Sequence, residues 1–341
     1  MNNLFDNFYK HNDTLEICVI LFDRCNLHCK FCFEKHTDLK TCEEIIDSTF
    51  VLIHELDTIK QKRKEIKNLV FRFWGGELFM DSLGDEYFTC YKQMVTILRD
   101  WCNSNNYKCE FCFSTNLVFN KVTRVHDLLE KDCYIATSYD PISRFHGNTE
   151  EIWWKNIDIF NPRVISITLT KDCIHEYIRG NQLERLRKFE IYPEYYIYNL
   201  NWEKYAPSEE DLFEFYKFCY ENKFENIKEV KHIVESYNNP NGRYCICKNS
   251  CSFINNRLVF SCLLRSGTLS MLNEYGMSLT ECYDNDNCTK RQFEIAINNL
   301  KCSNCQYYPF CRLPCMASKM HIKSKSKNCA LKMFYNWLGS K

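Results

Sequence analysis

The sequence predicts an α/β chain: a partial (β/α)6 barrel followed by a small, cysteine-rich C-terminal domain. Two observations predict the barrel. Through about residue 200, short β-branched and aromatic runs alternate with amphipathic stretches, and such alternation implies parallel βαβ units, hence a doubly wound sheet or a barrel. There are six such units, which suggests an incomplete barrel. A third observation sets the domain organisation. After about residue 235 the pattern changes to short segments, "YNNPNGR" turn chemistry and dense cysteine. The boundary is expected within 225–240, with a core over 1–235 and an appended domain over 236–341.

The expected strands are "TLEICVILF" (14–22), "IKNLVFRF" (66–73), "YKCEFCFS" (107–114), "CYIATSYD" (133–140), "RVISITLT" (163–170) and "FEIYPEYYIY" (189–198). One helix begins at Thr41, which forms a capping box with Glu44. Its apolar repeat is read at Ile45, Ile46, Phe50, Ile53 and Leu56. Another begins at Ser208, three residues before Asp211, with Leu212, Phe215, Tyr216 and Cys219 on one face. The basic "KQKRKEIK" (60–67) reads as a solvated helix end.

Charge and hydropathy exclude some functions. Lys+Arg and Asp+Glu number 44 each, and no basic stripe of the kind phosphate backbones require is present, so nucleic acid is not an expected partner. No apolar stretch approaches the roughly 20 residues that span a bilayer, and the N-terminus carries no signal pattern. A soluble, cytoplasmic protein without a membrane partner is the expectation. Cysteine is the outlier, with 23 in the chain. Without a secretion signal these point to metal or redox use rather than disulfides. Three sit together in "DRCNLHCKFCFEKH", and nine fall between Cys245 and Cys329 when Cys282 and Cys288 are set aside.

Cys25, Cys29 and Cys32 are spaced x3 then x2 directly behind the first strand. Three thiolates so spaced can hold one side of an iron–sulfur cube and leave one iron without a protein ligand. The same spacing allows zinc, with His36 as fourth ligand, or three unrelated thiols.

With Phe31 before the third cysteine, this loop resembles that of the radical S-adenosylmethionine (SAM) superfamily. The second strand ends in "FWGGELF", where Gly75, Gly76 and Glu77 match the family's Gly-Gly-Glu motif, whose backbone and acid hold the SAM amino group. Glycine is expected there because backbone must approach the ligand closely. "FSTNLVF" (113–119) is similar to the family's Thr-Asn-Gly strand end near the SAM ribose, through Thr115 and Asn116, with Leu117 in place of glycine. "IATSYDPISRFHG" (135–147) resembles a segment of the peptide-modifying and sulfatase-maturing branch, keeping Ser138, Asp140 and His146. The resemblance implies that Ser138 contacts SAM and that Asp140 lies towards substrate as the candidate catalytic residue. Read without it, the same residues are ordinary turn chemistry. In that family a reduced 4Fe–4S cluster splits SAM to methionine and a 5′-deoxyadenosyl radical, which takes a hydrogen atom from substrate.

The second cysteine field, "CSNCQYYPFCRLPC" plus Cys329, resembles the SPASM domain of radical SAM enzymes that act on peptides and proteins. By that likeness Cys302, Cys305, Cys311 and Cys329 hold one auxiliary 4Fe–4S cluster. Cys315 then joins Cys262 and two upstream cysteines on a second. Cys247 and Cys251 are the expected pair, with Cys245 as the alternative. The upstream half departs from the pattern, since Arg257 stands where the family has glycine, in the hairpin-like "FINNRLVF". Structural zinc is the other reading of this domain.

Three functions follow. The first is maturation of a ribosomally made peptide by a thioether or carbon–carbon crosslink, or by epimerisation with Cys112, Cys133 or Cys173 as hydrogen donor. The second is sulfatase maturation, the oxidation of a cysteine or serine to formylglycine. It needs a base, and the family's aspartate after the last upstream cysteine is Leu263 here. The third is a non-catalytic zinc-binding interaction protein. A flavodoxin- or ferredoxin-type donor is the expected electron source. With some 13 residues ahead of the first strand, leader recognition is expected from the core, the SPASM region or a separate leader-binding protein. The aromatic "YPEYYIYNLNW" (192–202) is a candidate peptide groove or an edge strand's packing face.

Overall fold

The six expected strands form in order and pair in parallel: β1 (Thr14–Ile20), β2 (Asn68–Trp74), β3 (Lys108–Thr115), β4 (Cys133–Tyr139), β5 (Val164–Leu169) and β6 (Ile191–Tyr195). This computed structural model describes residues 13–32, 36–195, 202–238, 250–254, 256–259, 298, 300–309, 311 and 328–341. Helices α1 (Cys42–Lys62), α2 (Asp85–Ser104), α3 (Val122–Leu128), α4 (Thr149–Phe160) and α5 (Lys171–Arg179) connect the strands. A short α6 (Gln182–Arg185) precedes β6, and α7 (Trp202–Tyr205), α8 (Glu209–Glu221) and α9 (Lys228–Asn238) follow it. The parallel strands with their helices make a half-barrel.

Two more strands extend the sheet on its other side. β7 (Ser250–Ile254) pairs in parallel with β1, and β8 (Arg257–Val259) turns back antiparallel. The sheet order is therefore β6-β5-β4-β3-β2-β1-β7-β8. The hairpin expected from "FINNRLVF" is β7–β8, with Asn256 at φ 60° in its turn; asparagine tolerates that left-handed conformation. Sequence beyond residue 235 thus contributes strands to the same sheet as the core. The C-terminal helix α10 (Ala330–Leu338) packs on α8, with Phe334 against Tyr216 and Tyr220.

Alternation along the strands separates two faces. Leu69, Phe71 and Phe73 of β2, and Phe111 and Phe113 of β3, are fully or almost fully buried towards the helices. Their rings stack on one another, with centroids 5.4 Å apart for Phe71–Phe111 and 5.1 Å for Phe73–Phe113. Each such ring contributes about 1.5–3 kcal/mol on burial. The opposite, inner face is polar. Low in the half-barrel, Arg72 donates to Glu16 at 2.9 Å. Higher up, Ser138 of β4 lies opposite Ser166 of β5, and Thr168 opposite Glu194 of β6. A half-barrel encloses no apolar core on this side, so polar side chains remain there to meet ligands.

Both expected capping boxes are present, Thr41 with Glu44 and Ser208 with Asp211. On α8 the expected face is buried. On α1 the face differs from expectation: Ile45, Thr49, Leu52, Leu56 and Ile59 are buried, while Phe50 is 54% exposed. The inward stripe runs i, i+4, i+7, and Phe50 lies about 100° around the helix from Thr49. Among the described residues no helix is long and apolar enough to cross a membrane.

Candidate active site

The site is built where the C-terminal ends of β1, β2 and β3 interlock. After β1 the chain enters the three-cysteine loop, whose neck is closed by Arg24 N–H donating to the Asp38 carbonyl at 2.9 Å and Asp38 N–H donating to Asp23 Oδ1 at 2.5 Å. Cys25, Cys29 and Cys32 are all half-buried in this loop, as is Phe31. Leu27 N–H points at Cys25 Sγ (3.4 Å), and Asn116 Nδ2 approaches the same sulfur at 3.6 Å. Asn26 ties the loop to the end of β3. Its Nδ2 donates to the Val118 carbonyl at 2.6 Å, and its Oδ1 accepts from Asn116 at 2.8 Å.

Gly75 and Gly76 also have a physical reason inside the fold. Gly76 N–H donates to the Phe22 carbonyl at 2.8 Å and Glu77 N–H to that of Arg24 at 2.9 Å. A Cβ on Gly75, which sits at φ +153°, would fall 2.0 Å from the Phe22 oxygen, and one on Gly76 would fall 1.9 Å from the Arg24 oxygen. The glycines therefore let the β2 end press against the root of the cysteine loop. We expect Gly76→Ala to push that root away and to lose the loop's metal, read as a fall of about four iron atoms per reconstituted chain; unchanged iron would contradict this account.

Glu77 is the buried hub. It has no exposed surface. Its Oε1 accepts from Phe79 N–H (2.9 Å) and Thr115 Oγ1 (2.7 Å), and its Oε2 from Asn116 N–H (2.5 Å). Burial drives its pKa up to about 7, against the pull of those three donors and of Arg144. Thr115 and Asn116, expected near SAM, are thus joined to Glu77. Leu117, where glycine was expected, keeps the left-handed backbone at φ 57° with its side chain fully buried. The conformation costs on the order of 1 kcal/mol for a residue with Cβ.

Ser138 faces the half-barrel interior, and its carbonyl accepts from Arg144 Nη1 at 2.8 Å. Asp140, the candidate catalytic residue, sits in the turn after β4. It is fully buried, with Oδ1 accepting from the backbone of Ile142 (2.9 Å) and Ser143 (2.7 Å) and Oδ2 from Ser143 Oγ (3.0 Å). Its carboxylate holds the turn after β4, as Asp-Pro turn chemistry favours. His146 is exposed in the next turn and closes it with Thr149.

Arg144 is the site residue that motif reading missed. It is 8% exposed, and its Nε has no hydrogen-bond partner. Burial raises the Cys29 thiol while the neighbouring Arg144 guanidinium pulls it down. In return Cys29, Asp140, Cys25 and Glu194 support the buried guanidinium against desolvation. An arginine inside a β4 turn, with no motif glycine beside it, gives no distinctive pattern in the sequence. Burial and the nearby Glu77 carboxyl push the Cys25 thiol up to about 12.

No protein-family model matches the chain. A cysteine-type anaerobic sulfatase-maturating enzyme from Clostridium novyi (strain NT) is 23% identical over 336 residues, covering 86% of each chain. A solved structure of polyhistidine-tagged anSMEcpe with bound AdoMet superposes with a TM-score of 0.63 at 16% identity, over 96% of this chain and 97% of that one. Native anSMEcpe with AdoMet and the Cp18Cys peptide gives the same TM-score at 14% identity. The chain is thus similar in sequence to a sulfatase-maturating enzyme and in fold to AdoMet-bound anSMEcpe.

The site fits a 4Fe–4S cluster and SAM, the groups that the sequence resemblance implies. Three thiols on one loop, without a fourth, match a cluster that keeps an open iron, and Leu27 N–H and Asn116 are positioned to donate to sulfur. His28 and His36 pack on each other, ring centroids 5.2 Å apart. Among the described residues no three Cys, His, Asp or Glu side chains stand close enough together to hold a metal ion as they are.

The second cysteine field is described in part. Cys302 opens a short 3-10 turn, Cys305 N–H donates to its carbonyl at 2.9 Å, and Cys311 N–H donates to the Tyr307 carbonyl at 2.7 Å. Tyr307 packs on Tyr335 of α10 and donates to Asn336 at 2.5 Å, so this turn lies against the helix that Cys329 caps. The buried Glu209 of α8 accepts from Ala330 N–H at 2.5 Å and fixes the helix start beside Cys329. Cys251 lies on β7 opposite Ile17, buried on the same side as Phe253, which lines one cavity with Ile45 and Leu52 of α1. Cys245, Cys247, Cys262 and Cys315 lie outside the described residues, as do Leu263 and residues 196–201. The suggested thiol donors are all packed: Cys112 is buried beside Arg72 and Tyr134, Cys173 beside Asp140, and burial pushes Cys133 up to about 12.

Proposed function

We propose that this radical SAM enzyme is a maturase that oxidises a residue of a peptide or protein, with Cys25, Cys29 and Cys32 holding the SAM-cleaving cluster. The single observation that carries it is the interlock of the cysteine loop, Gly75-Gly76-Glu77 and Thr115-Asn116 at the open end of a polar half-barrel. Bound together, cluster and SAM supply a carbon radical that abstracts a hydrogen atom from substrate. The chain's own residues bind and orient. Glu77, fully buried, would hold Thr115 and Asn116 in place beside bound SAM. Arg144 offers a buried cation, with Nε unengaged, to a carboxylate such as that of SAM. Ser138 and Asn116 supply hydrogen-bonding groups on the two sides.

Cys302, Cys305, Cys311 and Cys329 are assigned to one auxiliary cluster, which the packing of Tyr307 on α10 supports. For the other, the burial of Cys251 against the α1 side favours Cys245 and Cys247 as partners of Cys262 and Cys315. Both clusters would accept the electron released when the substrate bond forms. An external flavodoxin or ferredoxin would reduce the first cluster, and leader recognition would fall to the inner face or to a separate protein.

Two readings of the product are carried forward. Peptide crosslinking agrees with Leu263 in place of the family's base. Formylglycine formation is favoured by the likeness, along most of both chains, to the sulfatase-maturating relative. Mass spectrometry of synthetic cysteine peptides after anaerobic turnover separates them: loss of two hydrogens with sulfur retained is the crosslink, and loss of two hydrogens together with exchange of sulfur for oxygen is formylglycine. No mass change on any cysteine or serine peptide would remove the oxidative reading.

A further inference from the structure

Oxidation of a cysteine or serine side chain releases a proton as well as a hydrogen atom, and the position where the family places its base is a leucine. Asp140 is occupied in its turn and Glu77 is sealed among three donors. Glu16 is paired with Arg72 (2.9 Å) and Glu110 with Arg163 (2.8 Å). Glu194 differs from all of these. It stands one residue before the end of β6, on the inner face and opposite Thr168, at the end of the strands where the cysteine loop and Glu77 lie. Its Oε1 accepts from Ser166 Oγ at 2.7 Å, which orients the carboxylate, while the residue is exposed to the half-barrel interior. Arg144 feels its charge as it feels those of Cys25 and Cys29, so Glu194 and the cluster loop both neighbour that guanidinium.

We propose that Glu194 is the catalytic base for the substrate, taking the proton from the thiol or hydroxyl whose carbon loses the hydrogen atom. The inference rests on the maturase reading above. In the step, the C–H bond breaks and its hydrogen atom goes to the SAM-derived radical. The S–H or O–H proton goes to the Glu194 carboxylate. The remaining electron goes to a one-electron acceptor of the iron–sulfur class, and a second bond forms between carbon and the heteroatom. Ser166 is the positioning residue that aims the carboxylate.

The test uses the full chain, reconstituted anaerobically, and synthetic peptides bearing a β-deuterated cysteine or serine. Two quantities are read: deuterium in 5′-deoxyadenosine, which reports hydrogen abstraction, and oxidised peptide. In E194Q the yield of oxidised peptide per deuterated 5′-deoxyadenosine should fall about 100-fold, the scale of a lost general base, and E194D should recover part of it. Iron content and melting temperature check that both variants are folded; the side chain is exposed, so the isosteric change is expected to leave both intact. A wild-type yield ratio in E194Q would overturn the role of Glu194 while leaving the maturase reading standing. A wild-type enzyme that transfers deuterium from none of the peptides would overturn both.

Discussion

Replacing Cys25, Cys29 or Cys32 with alanine should abolish reductive SAM cleavage and remove about four iron atoms per chain. Each of the three sulfurs is in the same loop, and the loop is tied to β3 through Asn26 and Asn116, so the alanine variants should still fold. His36→Ala is the discriminating control. A zinc site made of three cysteines and a histidine would lose its metal with His36, whereas a three-thiolate cluster would keep its iron and its SAM chemistry. Iron by colorimetry and 5′-deoxyadenosine by chromatography, on dithionite-reduced protein, give both readouts.

Glu77 should give the largest effect on the folded state. Glu77→Ala leaves Phe79 N–H, Asn116 N–H and the Thr115 hydroxyl without their acceptor in a site closed to water. At about 1–3 kcal/mol for each of the three buried unpaired donors, the loss is of order 3–9 kcal/mol, comparable with a typical domain's whole stability. The same residue predicts a pH dependence. Its carboxyl is raised to about 7 in the folded protein from an ordinary value of 4.5, so the folded state holds a proton that the unfolded chain has released. The stability this contributes is complete below about 4.5 and is lost as pH rises through 7, by about 3 kcal/mol. Denaturant midpoints at pH 5 and pH 7.5 should therefore differ more for the wild type than for Glu77→Gln, which has nothing to titrate. Parallel shifts in the two proteins would contradict the assignment.

The framework of the site was legible in the sequence because it is written in local patterns. Alternating Leu69, Phe71 and Phe73 announce a strand, Thr41 and Glu44 a helix start, and three cysteines with a Gly-Gly-Glu strand end a cofactor site. What local patterns do not carry is the partner across space. The glycines read as ligand-approach residues, and only the structure adds that Phe22 and Arg24 press against them. Asp140 reads equally as a catalytic acid or a turn residue, and only the structure shows the three contacts it makes within its turn. Phe50 is apolar and falls near the helical repeat, yet one position of rotation puts it in solvent. Arg144 and Glu194 belong to no spacing rule; they matter because β4, its turn and β6 face a common interior. The return of residues 250–259 to β1 is likewise a long-range pairing with no signal beyond its own hairpin.

The most direct test of the central claim is to reconstitute the full chain with iron and sulfide under strict anaerobiosis, reduce it with dithionite in the presence of SAM, and measure 5′-deoxyadenosine. Brown protein that forms 5′-deoxyadenosine, and that loses this activity in Cys29→Ala, is the predicted result. Colourless, zinc-containing protein that forms none would contradict it.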